Sequence, residues 1–290
     1  VNFVERAVRF ECEGTSLYGI LSIPVKAAPR GVLIVVGGPQ YRAGSHRQFT
    51  LLARQLAAQG VPVMRFDYRG MGDSDGEIRT FESIGIDIRQ AVDCFFSEAA
   101  MLNELVVWGL CDAASASIFY AHTDERVTGM VLLNPWVRTD EGMAKAYLKH
   151  YYLARLIDRD MWRKIVRGNF AYREAAKSLI GMIRKSVAPQ RSDSVKPAEA
   201  NRNVGGSDPL PERMCESLAL FRGKVLIILS GNDLTAKEFQ EVVAGSRKWQ
   251  KILRGPNFQR QHLPEANHTF AQRNWRNQVA SWTRDWIASW

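Results

Sequence analysis

The sequence predicts an α/β fold: a mostly parallel sheet with helices on both faces and a helical insertion. Three observations carry this. Short runs rich in Val, Ile and Leu, at 32–36, 61–66, 105–108, 127–133 and 224–229, have the composition of strands buried on both sides. Stretches with apolar residues at helical spacing lie between them. Strand and helix so alternated through short connections give neighbouring parallel strands. The alternation stops after residue 135 and resumes near residue 221, which marks the insertion.

Residues 7–11 and 16–23 alternate apolar and polar around Glu13-Gly14, a hairpin signal. The strand over 32–36 runs into Gly37-Gly38-Pro39-Gln40. A helix over 46–59 follows, with Phe49, Leu52, Ala53 and Leu56 on one face and Gly60 as its stop. A strand over 61–66 enters the turn-rich segment 67–76, and a helix spans 84–96. The strand over 105–108 leads into Gly109-Leu110-Cys111-Asp112-Ala113 and then a helix to Tyr120. The strand over 127–133 ends at Asn134-Pro135-Trp136. Within the insertion, 147–157 and 162–183 have helical periodicity, and 186–211 is a long loop rich in Ser, Pro, Asn and Gly. The last part reads as a strand over 224–229, a helix over 235–246, a strand over 258–263 and an amphipathic helix over 271–290. The expected organisation is a core of 1–135 and 221–290 with an inserted helical cap of 136–220.

Composition narrows the function. No apolar run approaches the roughly 20 residues that cross a bilayer. Residues 1–11 are charged and alternating, unlike a secretory signal. The 4 cysteines, Cys12, Cys94, Cys111 and Cys215, are scattered without a C-x-x-C pair, so neither a zinc site nor a disulfide framework is expected, and a cytoplasmic location is the default. No nucleic-acid-binding signature accompanies the net charge of +9. Residues 136–223 hold 17 Lys and Arg against 10 Asp and Glu, hence +7 of that charge. Arg155, Arg159, Arg163, Lys164 and Arg167 recur mostly three or four apart, with Tyr147, Tyr151, Tyr152 and Trp162 among them. A rim for an anionic substrate, a face for anionic lipid and a merely solvated charged face all fit this pattern.

The segment 105–120 has the physical recipe of a nucleophile elbow: strand, tight turn, helix, with small residues two before and two after a central nucleophile. The central residue is Cys111. A nucleophilic thiol needs a base, and the base needs an orienting acid. In this architecture they follow in the order nucleophile, acid, base, each after a strand. Asp233 follows the strand over 224–229, and His268 follows the strand over 258–263. His122, His150 and His262 are poorer candidates for the base. His46, close to the loop after the first parallel strand, and Trp136, after the fourth, are candidate substrate contacts. No metal or organic cofactor is expected.

These residues resemble the α/β-hydrolase family, over everything outside the cap. Residues 67–74 are similar to its D-x-R-G-x-G-x-S loop. The elbow has Cys where most members have Ser, as in dienelactone hydrolases. Residues 37–47 and 108–114 together resemble the type 1 exosortase A system-associated hydrolases, bacterial proteins that accompany exopolysaccharide and protein-sorting gene clusters. The resemblance implies an esterase- or thioesterase-like acyl transfer on a small acyl substrate, in the cytoplasm and near that pathway. An acyltransferase with the same triad and a non-catalytic binding protein on the same fold are the alternatives.

Two departures from the family pattern matter. The third residue of the oxyanion loop is Pro39, which has no N–H, so Gln40 supplies that donor or the loop register differs. The second donor is expected from the N–H of Asp112. The Asp112 carboxylate either opposes thiolate formation at Cys111 or serves as a helix N-terminal residue.

Overall fold

The computed structural model describes residues 2–38, 40–137 and 208–290. The predicted cap helices, the arginine cluster at 155–167, His150 and Pro39 lie outside the described residues. Val1–Val137 and Leu210–Trp290 form one compact unit. Its sheet has eight strands in the order β1-β2-β4-β3-β5-β6-β7-β8. β1 (Phe3–Cys12) and β2 (Thr15–Pro24) form the predicted hairpin, and Glu13 and Gly14 take the positive φ of a tight two-residue turn (48° and 76°). β2 pairs antiparallel with β4 (Val63–Asp67). All later pairings are parallel: β3 (Arg30–Val35), β5 (Glu104–Leu110), β6 (Val127–Leu133), β7 (Lys224–Asn232) and β8 (Phe258–Asn267).

The central strands are buried on both faces, as their unbroken apolar runs require. Val32 to Val35, Leu105 to Val107 and Val225 to Ile228 have no exposed surface. α1 (Gln48–Ala57) packs against α7 (Arg273–Ile287). α2 (Gly85–Glu98) packs against α3 (Asp112–Ala121), and α3 against α4 (Leu210–Leu220). α5 (Leu234–Gly245) and α6 (Arg247–Leu253) complete the described helices.

Three expectations change. The helix expected from His46 begins at Gln48, because His46 and Arg47 have left-handed φ of 52° and 58° in a 3-10 turn. The Ala43 carbonyl takes the Phe49 and Thr50 N–H groups at 3.1 and 3.3 Å, which sets the later start. Second, Leu210–Leu220, counted with the insertion on sequence, belongs to the core unit. It buries Met214, Cys215 and Leu218, and its apolar stripe answers α3. Third, α6 was not expected. Ser246 caps it, and Trp249 anchors it edge-on to Phe239 with its indole N–H donating to the Pro211 carbonyl at 3.1 Å. Its 7 residues are too short for a clear helical period.

Candidate active site

The elbow forms as expected between β5 and α3. Cys111 has φ 63° and ψ −124°, a conformation an L-residue keeps only where its surroundings impose it. Those surroundings are explicit. The Cys111 N–H donates to the Leu133 carbonyl at 2.8 Å. Its carbonyl takes the N–H groups of Ala114, Ser115 and Trp136 at 3.1, 3.3 and 3.2 Å. Gly109 must be glycine, because a Cβ there would lie 2.6 Å from the Ala113 carbonyl carbon and oxygen. The side chain that this turn leaves free is the Cys111 thiol.

Asp233 and His268 meet across the ends of β7 and β8. The Asp233 Oδ2 lies 2.8 Å from His268 Nδ1. The same carboxylate caps α5, accepting the N–H groups of Thr235 and Ala236, each at 3.2 Å. The cap holds the carboxylate still while it orients the imidazole. A side chain at Gly231 would fall on the backbone of Pro264, so glycine there lets the two strand ends close together. Cys111 also acts on the His268 imidazole. Burial works against charge on the imidazole, but the Asp233 hydrogen bond and charge, together with Cys111, outweigh it. The pKa rises from the ordinary 6.5 to about 10. Burial pushes the thiols of Cys12 and Cys215 up, and that of Cys94 up to about 11.

Asp112 makes a contact that spacing does not reveal. Its carboxylate accepts the Gly38 N–H at 2.8 Å and the Ala113 N–H at 3.0 Å. A Cβ on Gly37 would collide with that carboxylate. Asp112 therefore fastens the loop after β3 to the elbow. Its burial raises its own pKa, against hydrogen bonds that lower it. The Gln40 side-chain oxygen accepts the Ser45 N–H at 3.3 Å.

The loop with the D-x-R-G-x-G-x-S pattern is a brace. Asp67 is fully buried and receives the Arg42 N–H at 2.6 Å, the Asp73 N–H at 3.1 Å and the Arg42 guanidinium. Arg69 forms a two-pronged buried ion pair with Asp87, at 2.9 and 2.8 Å. Ser74 donates to the Asp67 carbonyl at 2.7 Å and accepts the Tyr18 N–H at 2.9 Å. The motif's polar side chains thus hold one loop to the hairpin and to α2.

Trp136 lies beside the elbow, its N–H on the Cys111 carbonyl and its carbonyl accepting Ser115 Oγ at 2.6 Å. His46 is exposed on the 3-10 turn. His122 ends α3 and His262 lies within β8. One residue that sequence reasoning left without a role is Asn134. It is fully buried with φ 43°, donates to Ser230 Oγ at 2.9 Å and to the His268 carbonyl at 3.1 Å, and accepts the Ser230 N–H at 2.9 Å. Its signal was an asparagine, a residue type tolerant of left-handed backbone, directly after a buried strand.

The sequence model of the family described as "Serine aminopeptidase, S33" matches residues 27–185, more than half of the chain. The chain belongs to this family. It is an α/β-hydrolase, with cysteine at the centre of its elbow. Among curated proteins, it is similar to the polyketide transferase grgF of Penicillium sp., 27% identical over 133 residues that cover 43% of this chain and 42% of that protein. The match thus spans less than half of that relative. Among solved structures, it is similar to the esterase Pf2001 of Pyrococcus furiosus, with a TM-score of 0.65 at 15% identity, covering 99% of this chain and 92% of that one. It is also similar to Est1E of Butyrivibrio proteoclasticus with bound ferulic acid, with a TM-score of 0.61 at 15% identity, covering 97% and 98%. At these identities the two α/β-hydrolase structures share the fold.

Proposed function

We propose that this α/β-hydrolase carries out acyl transfer through Cys111, His268 and Asp233. The observation that carries the reading is the 2.8 Å hydrogen bond between His268 and Asp233, on an imidazole that Cys111 at the elbow also acts on. In the reaction, the Cys111 thiol gives its proton to His268 as its sulfur adds to the carbonyl carbon of an ester or thioester, and the carbonyl electrons move to oxygen. The N–H groups of Gln40 and Asp112 are the proposed donors to that oxyanion. Collapse breaks the bond to the leaving group, which takes a proton from His268. The product is a thioester on Cys111. An acceptor then gives its proton to His268 and attacks the same carbon, which releases the acyl group and regenerates the thiol. Asp233 orients the imidazole and stabilises its charge throughout.

Water as acceptor gives a hydrolase; a hydroxyl or amine gives an acyltransferase. The similarity to a protein described as a polyketide transferase favours keeping the second outcome beside the first. His46 and Trp136 are proposed substrate contacts, Trp136 because its backbone adjoins the elbow. The reading of the insertion as a cap rests on its place in the chain, after the C-terminal end of β6. Its excess of positive charge fits an anionic acyl donor or acceptor, or attraction to a membrane surface. No described helix is long and apolar enough to cross a bilayer. Service in a bacterial exopolysaccharide and exosortase system, in the cytoplasm, rests on the sequences of 37–47 and 108–114.

The test is a panel of acyl thioesters and esters mixed with the protein and followed by intact mass. An acyl adduct that maps to Cys111 and turns over supports the reading. Turnover by Cys111→Ala at the wild-type rate overturns it.

A further inference from the structure

A cavity of about 320 Å³ lies between α1 and α7, on the side of the sheet where Trp108 projects from β5. Neither Cys111, His268 nor Asp233 lines it. Its apolar wall is Phe49, Leu52, Trp108, Leu133, Phe270 and Val279. Its polar edge is Gln48, Gln55, Asn277, Arg273 and Arg276. No carboxylate is in the lining, and among the described residues neither Arg273 nor Arg276 has an acidic partner. Arg276 reaches the Ala271 carbonyl with one nitrogen, while its buried Nε has no acceptor. The indole N–H of Trp108, a residue only 3% exposed, also has no acceptor.

We propose that this cavity binds a small amphipathic carboxylate. An apolar ligand would leave the buried Nε–H of Arg276 and the indole N–H of Trp108 unanswered, and a cation would meet two like charges. A bare inorganic anion would leave the aromatic and aliphatic wall wet. A carboxylate with a short hydrocarbon body answers both halves: bidentate, charge-assisted hydrogen bonds at the arginines and apolar burial against Phe49, Leu52 and Val279. At about 320 Å³ the cavity is at the small end of the range for ligand pockets, which suits a short-chain carboxylate such as octanoate. The proposal does not depend on the chemistry at Cys111.

The experiment is calorimetric titration of the full chain with three probes of matched length: octanoate, octanamide and octylammonium. Octanoate is expected to bind at one site, about tenfold or more tighter than octanamide, with no saturable binding of octylammonium. Arg273→Gln with Arg276→Gln should lower the octanoate affinity to that of octanamide. Gln55→Glu, which places an acid at the edge and leaves both arginines in the chain, should weaken octanoate and strengthen octylammonium, so the selectivity test survives if the arginine variant misfolds. Cys111→Ala should bind octanoate as the wild type does. Equal affinity for all three probes overturns the proposal, as does octanoate binding that Gln55→Glu leaves unchanged. Loss of octanoate binding in Cys111→Ala places the probe in the catalytic site and overturns it too.

Discussion

The Asp112 carboxylate accepts the N–H of Gly38 at 2.8 Å, joining the residue after the elbow cysteine to the loop after β3. The two are far apart in the chain, and both adjoin the proposed oxyanion donors, the N–H groups of Gln40 and Asp112. A hydrogen bond to a charged group contributes about 1.5–3 kcal/mol, so its loss from a positioned site corresponds to about a 10- to 100-fold change in rate. Asp112→Ala is therefore expected to lower kcat by that factor while circular dichroism stays unchanged. Asp112→Asn, which keeps one acceptor oxygen, should fall between the two. Equal rates for Asp112→Ala and the wild type would show that the loop holds its place without this bond.

Thiol reactivity should single out Cys111. Burial pushes the thiols of Cys12, Cys94 and Cys215 up, and of the four only Cys111 acts on His268. Iodoacetamide at neutral pH should alkylate Cys111 at least about tenfold faster than any of the others, read by peptide mass. His268→Gln should remove most of that advantage. Uniform labelling of all four cysteines in the folded protein would contradict the Cys111–His268 pairing.

His268 also predicts how stability follows pH. Its pKa in the folded chain is about 10 against an ordinary 6.5, so the folded state holds the proton more tightly than the unfolded chain does. The stabilisation is fully present below about 6.5 and is lost as pH rises through about 10. Thermal melts of the wild type and His268→Gln should be furthest apart near pH 6 and converge toward the upper end of that window. A gap that widens as pH rises would be the wrong sign.

The brace loop should be intolerant of side chains. Gly70 and Gly72 have φ of 74° and 54°. A Cβ on Gly70 would sit 2.5 Å from the backbone of Ile78, and one on Gly72 would collide with the Asp67 carboxylate. Left-handed strain alone costs about 1–3 kcal/mol, and the collisions add to it. Gly70→Ala and Gly72→Ala should each lower stability in urea by at least about 2 kcal/mol. Gly85→Ala, where nothing lies within 4 Å of the added methyl, is the matched control.

The basic insertion predicts a salt effect. If its charge steers an anionic acyl substrate, KM for that substrate should rise with ionic strength, while a neutral short ester should hardly respond. Reversing two of Arg155, Arg159 and Arg163 to Glu should give the high-salt behaviour at low salt. Identical kinetics for both substrates across that series would leave the charge without a steering role.

Much of this architecture was legible in one dimension. Period-two and continuous apolar runs located the hairpin and the buried strands, because burial on one or both faces leaves its mark residue by residue. The elbow was legible because steric crowding at Gly109 and Ala113 admits only small residues. Asp233 and His268 were legible from their order after strands, since the ends of parallel strands lie on one edge of the sheet. Other features were decided only when the chain closed on itself. Asp233 serves at once as a helix cap and as the partner of His268, which local pattern presents as alternatives. The Asp112–Gly38 bond, the hold of Asn134 on Ser230 and the His268 carbonyl, and the docking of Leu210–Leu220 on α3 join residues from separate elements. Local periodicity records which face of an element is buried, but hydrogen bonds between loop ends depend on where the finished sheet places those ends.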